Sequence, residues 1–299
     1  MIQGNEVCKR FGQCMALDHV SFHIKKGSVY GLIGPNGAGK STLLRHIMGI
    51  FRPDSGEILL EGESVFENVR AKEKMAFIPD DIFYFKQATV ADMKKYYQGI
   101  YSGFDTELFE KLWEYFPLLD KKTPIRRMSK GMQKQAAFML AISMRTEFLV
   151  LDEPVDGLDP VMRRQIWSIL MSEVEKENMT VMVSSHNLRE LEDVCDHIGI
   201  IDKGRILLER SMEELQEAVT KVQVAFEEDF PVMDGELAIV GHSVLGKMHT
   251  LIIRDDSQKV IAVLEKYHPA FLEVLPLNLE EIFIYELGGE NYAVKDIIL

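Results

Sequence analysis

The chain has 299 residues, 46% of them hydrophobic and 27% charged, which is enough for one full core plus a smaller companion domain. The composition is that of a soluble globular protein. The net charge of -13 opposes unguided binding to a phosphate backbone and so argues against a nucleic-acid partner.

The first six residues, Met1 to Glu6, lack the basic-then-apolar pattern of a signal segment. Through about residue 210, short apolar runs alternate with helical patterns. Ser28 to Ile33 reads as a buried strand and Lys40 to Ile50 as a helix. Residues 88 to 146 break the alternation with a helical insertion, in which Asp92 to Tyr101 and Thr106 to Tyr115 are expected helices. Phe148 to Leu151 and Thr180 to Ser184 are again short β-rich runs bounded by polar residues. Strands alternating with helices predict an α/β fold with a mainly parallel sheet covered on both faces.

After about residue 220 the pattern changes. Val222 to Phe226, Leu237 to Val240, Thr250 to Ile253 and Phe271 to Leu275 read as strands, with a helix over Gln258 to Tyr267. Asn278 followed three positions later by Glu281 resembles a capping box. A small α+β domain over 221–299 is expected, behind a first domain over 1–220. Acidic residues such as Glu227, Glu228, Asp229, Asp255 and Asp256 dominate it, which again disfavours nucleic acid.

Two absences bound the setting. Cys8, Cys14 and Cys195 form no Cys-x-x-Cys pair, so neither a zinc site nor a disulfide framework is expected and a reducing compartment fits. No apolar run reaches the roughly 18 residues that cross a bilayer. Any membrane role is therefore expected to come through a partner.

Gly34-Pro35-Asn36-Gly37-Ala38-Gly39-Lys40-Ser41-Thr42 fits the phosphate-binding loop pattern, with a strand before it and a helix after it. Its glycines let backbone N–H groups turn toward phosphate oxygens. Lys40 offers a point charge to the β- and γ-phosphates, and Ser41 a hydroxyl to Mg²⁺. The helix starting near Lys40 aims its positive end at the same phosphates.

Phe148 to Leu151 ends in two carboxylates, Asp152 and Glu153, at the edge of an α/β sheet where ligands bind. Asp152 is expected to hold Mg²⁺, and Glu153 is the candidate general base for an attacking water. A strand ending in a solvated acidic turn would look the same, and the phosphate loop is what tips the reading. Val181 to Ser185 ends in His186, which is either a surface residue or a contact to the γ-phosphate and Glu153.

The order of these motifs resembles the ATP-binding subunit of an ABC transporter over residues 1 to 220, nearest to the bacterial ABC-2-type ATPases. Lys9-Arg10-Phe11-Gly12 resembles the start of such domains, with Phe11 where an adenine-stacking aromatic sits. Met128-Ser129-Lys130-Gly131-Met132 resembles the signature Leu-Ser-Gly-Gly-Gln. Gly157-Leu158-Asp159-Pro160 matches the loop after the second carboxylate motif, and His186 the switch histidine.

The resemblance implies a P-loop NTPase that hydrolyses ATP with Mg²⁺ and drives a separate integral membrane permease from the cytoplasmic face. It implies a homodimer, or a heterodimer with a related subunit, in which Ser129 and Gly131 of one copy complete the nucleotide site of the other. Lys130 and Met132 depart from the signature. Asp80 stands after Ala76 to Pro79 where the family places glutamine, so it is either a Mg²⁺ ligand or part of a solvated turn. A soluble ABC ATPase of translation or repair is disfavoured by the single phosphate loop and by the lack of heptads or cysteine pairs. A generic nucleotide switch leaves Met128 to Gly131 and Gly157 to Pro160 unexplained.

Overall fold

The computed structural model describes residues 1–82, 84–116, 119–120, 122–228, 230–231 and 235–282; Asp229 and the tail 283–299 of the expected C-terminal domain lie outside them. In chain order, β1 (Ile2–Phe11), β2 (Cys14–Ile24) and β3 (Val29–Ile33) lead into α1 (Lys40–Ile47). Next come β4 (Ser55–Leu60), β5 (Glu63–Ser64), α2 (Val69–Glu73) and β6 (Met75–Ile78). Three helices follow, α3 (Val90–Ile100), α4 (Thr106–Tyr115) and α5 (Lys130–Ser143). Then β7 (Phe148–Asp152), α6 (Pro160–Glu177), β8 (Thr180–Ser185), β9 (His197–Asp202) and β10 (Arg205–Ser211) complete the first sheets.

The six-stranded sheet has the order β10-β9-β3-β8-β7-β6. Its β3–β8, β3–β9, β6–β7 and β7–β8 pairings are parallel. Every residue of β3, β7 and β8 is buried, which explains why these strands appear as unbroken apolar runs. A second sheet, order β2-β1-β4-β5, is antiparallel throughout and was not anticipated. Register shifts at Gly4/Val7, Val7/Lys9 and Lys9/Arg10 break the period-2 alternation that would have announced β1.

Parallel pairing puts the C-terminal ends of β3, β6, β7 and β8 on one edge. That edge delivers Gly34, Asp80, Asp152–Glu153 and His186 from four different strands. Residue burial shows why α1 starts where it does: Leu43, Leu44 and Ile47 are buried on one stripe, and Gly39 at φ 112° turns the chain into it.

Among the described residues that follow are α7 (Met212–Ala218), β11 (Thr220–Ala225), β12 (Ile239–Leu245), β13 (Met248–Ile253), α8 (Ser257–Glu265) and β14 (Phe271–Leu275). Its sheet, β12-β13-β11-β14, covers a small core built on Val222, Val224, Leu251, Ile253, Val260 and Leu264. The reciprocal bonds of a capping box are present: Asn278 N–H donates to Glu281 Oε2 at 3.2 Å, and Glu281 N–H to Asn278 Oδ1 at 2.8 Å.

The second compact unit begins at Arg210, ahead of the expected boundary at 220, and it also takes in Asn187–Asp193. Two contacts tie that short segment in. Arg189 pairs with Glu280 at 2.8 Å, and Glu192 Oε1 accepts from Leu279 N–H at 3.0 Å. These partners lie about ninety residues apart in sequence, so no local pattern announces them.

Candidate active site

Phe11, Pro35, Asn36, Gly37, Gly39, Lys40, Ser41, Thr42, Asp80 and Glu153 meet around one cleft of about 590 Å³. A cleft of that size suits a small-molecule ligand. The loop is shaped by its glycines. A Cβ on Gly34 would stand 2.2 Å from the Ile201 carbonyl oxygen, and Gly37 and Gly39 hold φ of 84° and 112°. Phe11 is exposed at the rim, edge-on to Phe51 at 5.6 Å.

Lys40 is the buried cation of the cleft. It is 6% exposed, its Nζ donates to the Gly34 carbonyl at 2.7 Å, and it lies 3.3 Å from Glu153 Oε1. A buried ammonium needs such partners, because an unpaired one is costly to desolvate. The other carboxylate oxygen, Glu153 Oε2, lies 2.9 Å from His186 Nδ1. Glu153 is thus gripped between a lysine and a histidine, with its side chain 11% exposed.

Asp152 is buried beside it and does not line the cleft. Its Oδ1 accepts from Ser184 Oγ at 2.6 Å, and that same hydroxyl oxygen accepts from Glu153 N–H at 3.1 Å. Ser184 therefore joins β8 to both carboxylate residues. Glu153 has a positive φ of 48°, which a side-chain-bearing residue adopts only when its surroundings hold it.

The chain matches the family model described as ABC transporter over residues 17–156. It is 30% identical to the ABC transporter ATP-binding protein YtrB of Bacillus subtilis (strain 168), across 97% of this chain and 99% of that one. It is 31% identical to the Nod factor export ATP-binding protein I of Ralstonia nicotianae, across 94% and 92% of the two chains. The chain belongs to the ABC transporter family.

It is an ATP-binding and ATP-hydrolysing subunit of that family, one that powers a membrane permease. The fold agrees. A solved ATP-binding subunit of an ABC transporter superposes with a TM-score of 0.66 at 24% identity, over 72% of this chain and 92% of that one. The ATP-binding cassette MJ0796, solved as a dimer bound to ADP and Pi, superposes with a TM-score of 0.62 at 20% identity, over 71% and 99%.

In this ABC subunit Ser129, Gly131 and Asp159 do not line the cleft. Ser129 is the exposed N-cap of α5, its Oγ accepting from Met132 N–H at 3.2 Å. Asp159 caps α6, its Oδ1 accepting from Val161 and Met162 N–H at 3.0 Å each. Asp80 Oδ1 lies 3.6 Å from Lys134 Nζ, so the carboxylate read as either a Mg²⁺ ligand or part of a solvated turn has a cationic neighbour.

Several cleft residues escaped the sequence reading. Cys14, Met15 and Ala16 come in from β2, and Lys203 from the turn after β9. Ser184 and Lys134 lie behind the carboxylates. A serine ending a buried strand was the one available signal for Ser184; a lysine inside a helix gave none for Lys134.

Proposed function

We propose that Lys40 and the Gly34–Thr42 backbone grip the phosphates of ATP, and that Glu153 is the base that orients and deprotonates the attacking water. The observation that carries this reading is the placement of Glu153, whose carboxylate is held from opposite sides by Lys40 Nζ and His186 Nδ1 at the mouth of the glycine loop. A nucleotide phosphate entering the loop competes for Lys40 and frees one oxygen of Glu153. His186 then fixes the other oxygen, so the carboxylate stays aimed. Phe11, exposed at the rim, offers its ring face to the base.

The donor set fits Mg²⁺. The Ser41 hydroxyl and the Asp152 carboxylate are hard oxygen ligands, and buried Asp152 is set to act through water. Asp80 would join them only by leaving Lys134. When bound, Mg²⁺ supplies positive charge to the phosphate oxygens. Asp152 is kept in position by the Ser184 hydroxyl.

Because Ser129 and Gly131 stand outside their own chain's cleft, they are free to meet nucleotide on a second copy or a related subunit. Closure of such a dimer on ATP and its reopening after hydrolysis would move the permease between two states. Among the described residues no helix is long and apolar enough to cross a membrane. The relatives named as ABC transporter ATP-binding proteins support a separate permease chain met at the cytoplasmic face. Relatives named for bacitracin transport and Nod factor export share 27% and 31% identity with this chain, which fits a common motor with cargo chosen by the permease.

The test is co-purification from a detergent extract. An integral membrane protein that is retained with the tagged chain and that changes its ATPase rate supports the reading. Recovery of the chain free of membrane protein, with an ATPase rate indifferent to the extract, counts against it.

A further inference from the structure

Lys134 sits in the second turn of α5, just past the signature, with its side chain 9% exposed. Its ammonium has three N–H donors. Three acceptors surround it: the Glu153 carbonyl at 2.7 Å, the Asp156 carbonyl at 2.9 Å and Asp80 Oδ1 at 3.6 Å. Each comes from a different place in the sequence. Residue 80 follows β6, residue 153 directly follows β7 and is itself the candidate base, and residue 156 lies in the next turn.

The Glu153 peptide is thereby fixed at both ends. Its N–H donates to the Ser184 carbonyl and hydroxyl, and its carbonyl accepts from Lys134. This is the residue with φ of 48°. Left-handed backbone at a side-chain-bearing residue needs outside contacts to hold it. The same carbonyl also accepts from Asp156 N–H at 3.3 Å, so the lysine adds a charged donor to a backbone turn bond on the carbonyl side of that peptide.

A nearly buried ammonium also needs a counter-charge. Asp80 supplies it, and Asp80 is itself 56% exposed. Its position is unusual. It lines both the cleft holding Lys40 and Glu153 and a neighbouring cavity of about 340 Å³ shared with Lys130, Gln133 and Asp156. The negative charge at residue 80 thus has a role beyond the turn: it anchors the cation that anchors the base.

We propose that Lys134 is a positioning residue for ATP hydrolysis, that it sets the Glu153 backbone, and that Asp80 holds it in place. The inference rests on Glu153 being the base. It makes the loop at residue 80 and the 153–156 turn one mechanical unit, so a displacement of Asp80 is passed through the lysine to the reacting carboxylate.

A double-mutant cycle tests this, using the full chain and MgATP. Asp80→Asn, Lys134→Met and the double variant are compared with the wild type for kcat, KM and binding of a fluorescent ATP analogue. Each single change is expected to lower kcat by about tenfold, the scale of coupling between residues in contact. KM and analogue binding are expected to stay within about twofold, because the grip on the phosphates is untouched. The double variant should be no slower than the slower single one, and Lys134→Arg should recover most of the rate.

Losses that multiply in the double variant overturn the proposal, as does a rise in KM at constant kcat. Should Lys134→Met prove too unstable to assay, Asp80→Asn at the exposed end still decides: wild-type kcat there removes the pairing. Lys40→Ala keeps the two claims apart. If it is inactive while Asp80→Asn and Lys134→Met turn over normally, the nucleotide site stands and the role of Lys134 falls. If Lys40→Ala itself turns over normally, the reading of the nucleotide site fails.

Discussion

Lys40 Nζ lies 3.3 Å from Glu153 Oε1, so the cation of the glycine loop and the carboxylate just past β7 are paired across the cleft. Both side chains are largely buried, which makes each the other's main source of charge compensation. On the proposed reading, a phosphate group arriving in the loop would replace the carboxylate as partner of Lys40. Nucleotide binding and release of the base are then one event.

Removing the cation should therefore weaken binding first. Lys40→Ala is expected to lower ATP affinity by roughly ten- to a hundredfold, the scale of one hydrogen bond to a charged group, and to abolish measurable turnover. Equilibrium binding of a fluorescent ATP analogue and steady-state phosphate release check both parts.

The glycines divide into two kinds, and substitution should separate them. Gly39 has φ of 112° and a Cβ there would lie 2.8 Å from the Ala16 carbonyl oxygen, so Gly39→Ala is expected to cost about 1–3 kcal/mol of stability and to impair nucleotide binding. Gly131 has ordinary helical backbone, and a Cβ there would meet Leu158 Cδ2 at 3.4 Å and Met162 Sδ at 3.8 Å, ordinary contacts, so Gly131→Ala should leave the fold intact or stabilise it by up to about 1 kcal/mol. If Gly131 meets nucleotide on a second copy as proposed, the same change should nonetheless slow ATP-dependent pairing of subunits. Thermal melts and analytical sedimentation with ATP distinguish the two outcomes.

The acid limb of stability should involve Asp105. Its side chain caps α4, accepting from Leu108 N–H at 2.8 Å, and pairs with Arg145 at 2.9 Å. Those contacts, the backbone bond foremost, hold its carboxyl below the usual carboxylate range. A depressed folded-state value contributes stability that is present above the unfolded-state pKa of about 3.9 and is lost as pH falls through the folded value. Asp105→Asn keeps a capping oxygen but cannot titrate. Between pH 5 and 3 its melting temperature, measured by circular dichroism, should fall less steeply than that of the wild type.

The catalytic edge was readable because its signals are local. Phe148 to Leu151 is an unbroken apolar run since β7 is buried on both faces, and Gly34 to Ser41 carries its own spacing. The antiparallel sheet was not readable, because β1 is interrupted by register shifts and its residues alternate irregularly between buried and exposed. Lys134 was invisible for a different reason. A lysine on a helix is ordinarily solvated, and only the tertiary approach of the 153–156 turn shows that this one is enclosed. Asp80 stood out as a departure from the family pattern, yet its partner lies 54 positions away in the chain.

The central claim is that Glu153 activates the water that attacks ATP held by Lys40. Single-turnover hydrolysis of γ-labelled ATP by Glu153→Gln, with bound nucleotide counted in the same samples, tests it most directly. The amide keeps the shape of the side chain and removes the base, so nucleotide should remain bound while phosphate release slows by about 10²–10⁴-fold. Phosphate release at the wild-type rate with nucleotide bound would contradict it.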